Sequence, residues 1–379
     1  MASIAPFHVM KLLARARELE AQGREIIHME IGEPDFNTPE PIISAGIKAL
    51  EQGKTHYTPA LGLNVLRDTI SKHYLDYYGV SVSPSRIVIT PGSSGALQLI
   101  AGVLFETGLD VLITDPGYPC NRHFVTLMGA NPVSMPVDGS TAFQPTLLQL
   151  QHAWRENTTI AAIIASPANP TGTLIPPSEL EKLVAFVMSK KGFLIVDEIY
   201  HGLEFDNKQK TAARFDERVF VINSFSKYFG MTGWRIGWMI APEDFVPAID
   251  KLAQNIFLAP STVAQHAALA AFNPDSQKEM RSRRDEFRKR RDYLVPELES
   301  LGFAIPARPD GAFYVYADCS ALSDDSYSFT QKLLEEAGVA ITPGVDFGQF
   351  QAEKHVRFAF TQPISRLREG IQRLRNFLG

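Results

Sequence analysis

The segment Val219-Phe220-Val221-Ile222-Asn223-Ser224-Phe225-Ser226-Lys227-Tyr228-Phe229-Gly230-Met231-Thr232-Gly233-Trp234-Arg235-Ile236-Gly237-Trp238 starts as an apolar, β-branched run and ends rich in glycine and hydroxyl groups. Its first four residues read as a buried strand, and the remainder carries too many polar groups for ordinary core. Strand ends are where α/β proteins place their chemistry. Lys227 lies just past such an end, flanked by Ser224 and Ser226 and followed by Arg235. An amine so placed can form a Schiff base with an aldehyde cofactor, while the hydroxyls and the guanidinium grip a phosphate. The competing reading is a solvated loop lysine; the strand that feeds the loop argues against it.

Outward from this strand, short β-branched runs recur at 86–90, 110–114, 132–137, 160–165, 193–196, 219–223 and 236–240. Helical patterns at 96–105 and 178–190 lie between them, and this alternation predicts an α/β fold with a mainly parallel, doubly wound sheet. After about residue 273 the pattern changes. One long basic helix at 280–301 is followed by strands at 313–317, 339–341 and 355–360, with helices near 327–337 and 364–377, which predicts a smaller α+β unit. A helix at 9–22, stopped by Gly23, comes before all of this. The expected division is an N-terminal arm over 1–40 packing with the small domain, a large domain over 41–278 and a small domain over 279–379.

With 379 residues, 45% of them hydrophobic, the chain can bury about two cores. A net charge of -5 gives nucleic acid no general attraction, so the expected partner is a small molecule. The basic run Arg281, Arg283, Arg284, Arg288, Lys289, Arg290, Arg291 is broken by Asp285, Glu286 and Asp292 and reads as a solvated helix face. Cys120 and Cys319 supply neither a disulfide framework nor a metal ligand set, as expected of a cytoplasmic protein. No stretch reaches the roughly 20 apolar residues of a membrane span, and no signal-peptide core opens the chain.

Four other expected strand ends carry polar groups. Thr90-Pro91-Gly92-Ser93-Ser94-Gly95-Ala96-Leu97 is a turn into a helix start, where main-chain N–H groups and the hydroxyls of Ser93 and Ser94 bind phosphate. Many αβ turns look alike, so this signal counts only in combination. Asp115-Pro116-Gly117-Tyr118-Pro119 fixes a tyrosine that either stacks on a heteroaromatic ring or is a half-buried loop residue. In the tight turn Ser166-Pro167-Ala168-Asn169-Pro170-Thr171-Gly172, Asn169 is either a turn residue or a donor to a phenolate oxygen. Ile195-Val196-Asp197-Glu198-Ile199-Tyr200 puts a carboxylate at the end of an apolar strand, which is costly unless a cation meets it. A protonated pyridine nitrogen is such a cation. Kept charged by Asp197, the ring accepts electrons from a carbanion, and Tyr200 is placed to bond its phenolate oxygen.

In this order, with Arg235 following Lys227 in the same loop, these pieces resemble the fold-type I pyridoxal-phosphate enzymes, and more narrowly the class I/II aminotransferases of the aspartate aminotransferase family. The resemblance runs from Ile31-Gly32-Glu33-Pro34-Asp35-Phe36 to Val356-Arg357-Phe358-Ala359-Phe360. It implies pyridoxal 5'-phosphate as cofactor, with Lys227 forming the internal aldimine and later carrying the proton between Cα and the cofactor. It implies that Asp197 pairs with the ring nitrogen, that Asn169 and Tyr200 bond the ring oxygen and that Tyr118 stacks on the ring. Ser93, Ser94, Ser224, Ser226 and Arg235 are the implied phosphate ligands. Tyr57, in His56-Tyr57-Thr58-Pro59-Ala60-Leu61-Gly62, is similar to the tyrosine that reaches a partner subunit's phosphate, which implies a homodimer with shared sites. Gly32 resembles the glycine that leaves room for the amino acid. Arg357 resembles the bidentate clamp on the substrate α-carboxylate, a planar fork that lysine does not reproduce.

The implied reaction moves an amino group from an amino acid to a 2-oxo acid by a ping-pong route. A β-elimination lyase of the C–S lyase type would use the same residues. A non-enzymatic ligand-sensing domain is a third class, but such proteins carry an added DNA-binding segment, and this chain starts within a few residues of its expected first helix. Aspartate-preferring members of the closest subgroup carry a lysine in the phosphate turn where Ser94 stands here, which counts against strict dicarboxylate specificity. Lys11, Arg15, Arg17, Arg122 or a residue of the partner chain remain as sources of a distal cation.

Overall fold

A computed structural model describes residues 8–379. Among them the strands are β1 (Ile27–His28), β2 (Ile87–Thr90), β3 (Asp110–Asp115), β4 (Asn131–Pro136), β5 (Thr159–Ala165), β6 (Phe193–Asp197), β7 (Phe220–Ser224), β8 (Gly237–Ile240), β9 (Tyr314–Asp318), β10 (Val339–Ala340), β11 (Thr342–Pro343) and β12 (His355–Ala359). Seven of these form one sheet in the order β2-β8-β7-β6-β5-β3-β4. All seven expected strands of the large unit are present, with ends within one residue of expectation.

Every residue of β2, β7 and β8 is buried. Successive side chains enter different cores: Leu194 and Val196 join one apolar cluster, while Ile195 between them joins another. Both faces are covered by helices, so the strands read as continuous apolar runs rather than alternating ones. The ladders are parallel apart from those of β8, which runs antiparallel to both β2 and β7. The doubly wound, mainly parallel α/β sheet is the predicted fold.

The smaller sheet is antiparallel, in the order β11-β12-β9. Here the expected strand at 339–341 divides. Val339–Ala340 pair in parallel with Ile27–His28, and Thr342–Pro343 pair with β12, so the chain changes sheet at Ile341. The helix His8–Ala21 buries Leu12, Ala16 and Leu19 in a cluster with Ile26, Leu334 and Ala340, which joins the start of the chain to its last quarter.

The long helix spans Pro274–Ser300 and starts earlier than expected, because a proline is tolerated in a helix's first turn. Its basic run is not a wholly solvated face. Arg290 and Arg291 are each 2% exposed. Arg290 forks onto Asp35 at 2.8 and 3.1 Å, and Arg291 reaches Asp206 at 2.9 Å, so these two arginines tie the helix to the body of the protein. Among the described residues no helix is long and apolar enough to cross a membrane.

Candidate active site

Register brings the expected residues together. In the parallel ladders Ala165 pairs with Asp197 and Asp197 with Ile222, so β5, β6 and β7 end at one level. The loops carrying Asn169, Tyr200 and Lys227 therefore open on the same side of the sheet. Antiparallel β8 arrives from that side, with Gly237 paired to both Ser224 and Thr90, and this sets Arg235 beside the turn after β2. Gly32, Ser93, Tyr118, Asn169, Asp197, Tyr200, Lys227 and Arg357 all line one cleft of about 190 Å³.

At its floor the Lys227 ammonium donates to the Gly32 carbonyl at 2.6 Å. Burial penalises the charged form and pulls this amine from 10.5 down to about 8; Glu33 opposes the shift, and Arg357 and Arg235 add to it. Neutral amine, the nucleophilic form, is thus present well below the usual range for lysine. Reductive methylation of protein freed of any carbonyl ligand should label Lys227 with increasing yield as pH rises through about 8. A midpoint near 10.5 would contradict the desolvated site.

Asp197 is 5% exposed and accepts the Ile199 N–H at 3.0 Å. Burial raises its carboxyl to about 6, against the lowering effects of that N–H and of Lys227. A buried carboxylate with so little compensation would be matched by a cation in the cleft.

Arg357 closes the opposite wall. Its guanidinium donates to Asn169 Oδ1 at 2.8 Å and Thr342 Oγ1 at 3.3 Å, and to the carbonyl of Glu30. Its Cζ lies over the rings of Tyr314 and Phe347, 4.3 and 4.7 Å from their centroids. Its buried Nε has no partner among the described residues. An oriented fork with donor capacity to spare suits a carboxylate. With Oδ1 taken by Arg357, Asn169 keeps its NH₂ as a donor.

Tyr314 is the residue that sequence reading missed. Its hydroxyl pairs with that of Tyr200 at 2.8 Å. A Cβ on Gly32 would fall 1.8 Å from Tyr314 Oη, so the space left by the missing side chain is filled by this hydroxyl rather than kept open for substrate.

The remaining expected residues form a cradle beside the cleft. Ser224 Oγ bonds Ser226 Oγ at 3.0 Å, and Arg235 Nη1 lies 3.5 Å from Ser226 Oγ. Arg235 is held at φ +53°, and a Cβ on Gly92 would meet its Nη2 at 2.4 Å. Gly237 is close-packed too, because a Cβ there would lie 2.8 Å from the Asn223 carbonyl oxygen and 3.1 Å from Ser93 N. Two hydroxyls, a guanidinium and the start of the helix Gly92–Leu104 fit a phosphate dianion. Two expected residues lie outside: Ser94 is exposed on that helix's first turn, and Tyr57 is 83% exposed. None of Lys11, Arg15, Arg17 and Arg122 lines the cleft, and Arg15 is held by Glu335 at 2.6 Å.

A mainly parallel sheet with a cleft at its strand ends defines the fold-type I architecture. Residues 24–374 match the family described as aminotransferase class I and II; the chain belongs to this family and is a transaminase. It is 39% identical to the (5-formylfuran-3-yl)methyl phosphate transaminase of Methanocaldococcus jannaschii, over 98% of this chain and 96% of that one. Identity is 37% to the valine–pyruvate aminotransferase of Mycobacterium tuberculosis, over 100% and 97% of the two chains. The crystal structure of aspartate aminotransferase from Thermus thermophilus with maleate superposes with a TM-score of 0.95 at 32% identity, covering 100% of this chain and 98% of that one.

Proposed function

We propose that the protein binds pyridoxal 5'-phosphate on Lys227 and moves an amino group between amino acids and 2-oxo acids, without strict specificity for a second carboxylate, as a cytoplasmic homodimer. One observation carries this: a desolvated lysine, a buried carboxylate and an arginine fork line the same cleft. The bound cofactor supplies an electron sink for the charge that develops when the substrate Cα loses its proton. Lys227 holds the carbonyl end and then moves that proton. Asp197 keeps positive charge on the ring nitrogen. Asn169 and Tyr200 orient the ring oxygen and Tyr118 covers the ring face. Ser93, Ser224, Ser226 and Arg235 anchor the phosphate, with Ser94 at the rim.

Arg357 takes the α-carboxylate of every substrate. Arg357→Lys keeps the charge and loses the fork, so kcat/KM should fall roughly 10–100-fold for all amino acids alike. A loss confined to one amino acid in steady-state assays would count against the clamp.

Beyond the carboxylate the cleft is lined by Val9, Met10 and Ile31, and among the described residues its lining holds no lysine or arginine except Lys227 and Arg357. This favours neutral side chains. Single-turnover spectra with a panel of amino acids, followed by 2-oxoglutarate, oxaloacetate and pyruvate, test the reading. Glutamate should serve as donor, and aspartate should not exceed alanine by more than about a hundredfold. A larger preference would require a distal cation. The relatives named above are all transaminases, which favours transfer over elimination; sustained release of pyruvate and ammonia from one amino acid would reverse that.

The dimer rests on Tyr57, exposed and away from its own cleft, and on exposed Ile47, Leu50, Val65 and Leu258. Light scattering should give a dimer at working concentration, and an active monomer would rule it out. Tyr57→Phe should weaken cofactor binding about tenfold or more, since one hydrogen bond to a charged group contributes about 1.5–3 kcal/mol.

A further inference from the structure

The loop Gly344-Val345-Asp346-Phe347-Gly348-Gln349-Phe350 touches three walls of the site at once. Phe347 stacks on the Arg357 guanidinium. Asp346 accepts the N–H groups of His8 and Val9 at 2.8 and 3.0 Å, fixing the start of the helix that brings Val9 and Met10 to the cleft. The Phe347 carbonyl accepts the Gly117 N–H at 2.9 Å, next to Tyr118.

Asp115, the last residue of β3, fastens this loop. It is 2% exposed, with Oδ1 accepting from Gln349 N at 3.0 Å and Phe350 N at 3.3 Å, and Oδ2 accepting from Gln349 N at 3.2 Å. Arg122 Nη2 lies 3.7 Å from Oδ2. A buried carboxylate is tolerated where such donors meet it. The approach requires glycine at 348, because a Cβ there would fall 1.7 Å from Asp115 Oδ1.

We propose that Asp115 is a positioning residue for amino transfer. It holds loop 344–350 against the large sheet so that Phe347 keeps the Arg357 fork aimed at the substrate α-carboxylate, and it acts without touching substrate or cofactor. The inference rests on reading Arg357 as the carboxylate clamp. A guanidinium packed against two rings has less freedom to turn, and releasing the loop removes one of them. The effect should therefore fall on binding of the group that all substrates share, leaving the proton step alone.

Two variants approach the contact from opposite sides. Asp115→Asn puts an NH₂ in place of one acceptor, and Gly348→Ala pushes the loop away. In the holoenzyme each should raise KM for alanine, glutamate and 2-oxoglutarate by one common factor of about tenfold, with kcat changed less than about twofold. Hydrogen–deuterium exchange without substrate should speed up at the Gln349 and Phe350 amides. In the double variant Asp115→Asn/Arg357→Lys the Asp115 change should add little, because it acts through the missing fork. Unchanged exchange in Asp115→Asn would overturn the anchoring. Faster exchange with unchanged KM, or a fall in kcat alone, would overturn the positioning role. If Arg357→Lys alone affected no substrate, the clamp itself would be refuted, while the exchange measurement would still report on the loop.

Discussion

Lys227→Ala is expected to slow amino transfer by about 10⁴-fold or more and to leave no lysine that borohydride fixes to the cofactor. On the proposed reading the amine has two tasks, holding the carbonyl and moving the Cα proton, and among the described residues no other lysine lines the cleft. The phosphate cradle of Ser224, Ser226 and Arg235 is untouched, so the variant should still take up cofactor, bound without a covalent link. Peptide mapping after reduction of the parent protein decides the assignment: label on any other lysine, or a variant with substantial turnover, would sink it.

Asp197→Ala should retain weakened but measurable cofactor binding for the same reason, and should slow the half-reaction with an amino acid by roughly 10³-fold. Burial raises the carboxyl to about 6; on the proposed reading a positive ring nitrogen would hold it ionised, and without the carboxylate that nitrogen would give up its charge and the electron sink with it. Asp197→Asn separates charge from packing, since it keeps the shape and should slow the reaction almost as much. Near-normal rates in either variant, measured by stopped-flow absorbance, would contradict the role.

Range along the chain decides how much of this is legible in the sequence. The large sheet is readable because β2, β7 and β8 are buried on both faces and so appear as apolar runs bounded by turns. Lys227, Asp197 and Asn169 are readable because each comes at or just after the end of such a run. β1 and β11 are not, since two residues carry no period, and the pairing of β1 is set by a strand far away in the chain. Tyr314 looks like ordinary core in Phe313-Tyr314-Val315-Tyr316; its role depends on Tyr200, 114 residues away, and on the gap at Gly32. Arg290 and Arg291 sit in a run that local charge marks as solvent-facing, and partners brought in by the fold, Asp35 and the Thr361 carbonyl for one and Asp206 and the Pro309 carbonyl for the other, make their burial tolerable.

The pairing of Ile27 with Val339 has a consequence for how the molecule is made. A ribosome adding about 5–20 residues per second needs roughly 15–60 s to cover the interval between them. Throughout that time Leu12, Leu19 and Ile26, made first, have neither Leu334 nor Ala340 to pack against. The nascent chain thus carries a sticky leading end until its final quarter emerges, and the interval sets a window in which a chaperone, rather than the protein's own core, must shield it.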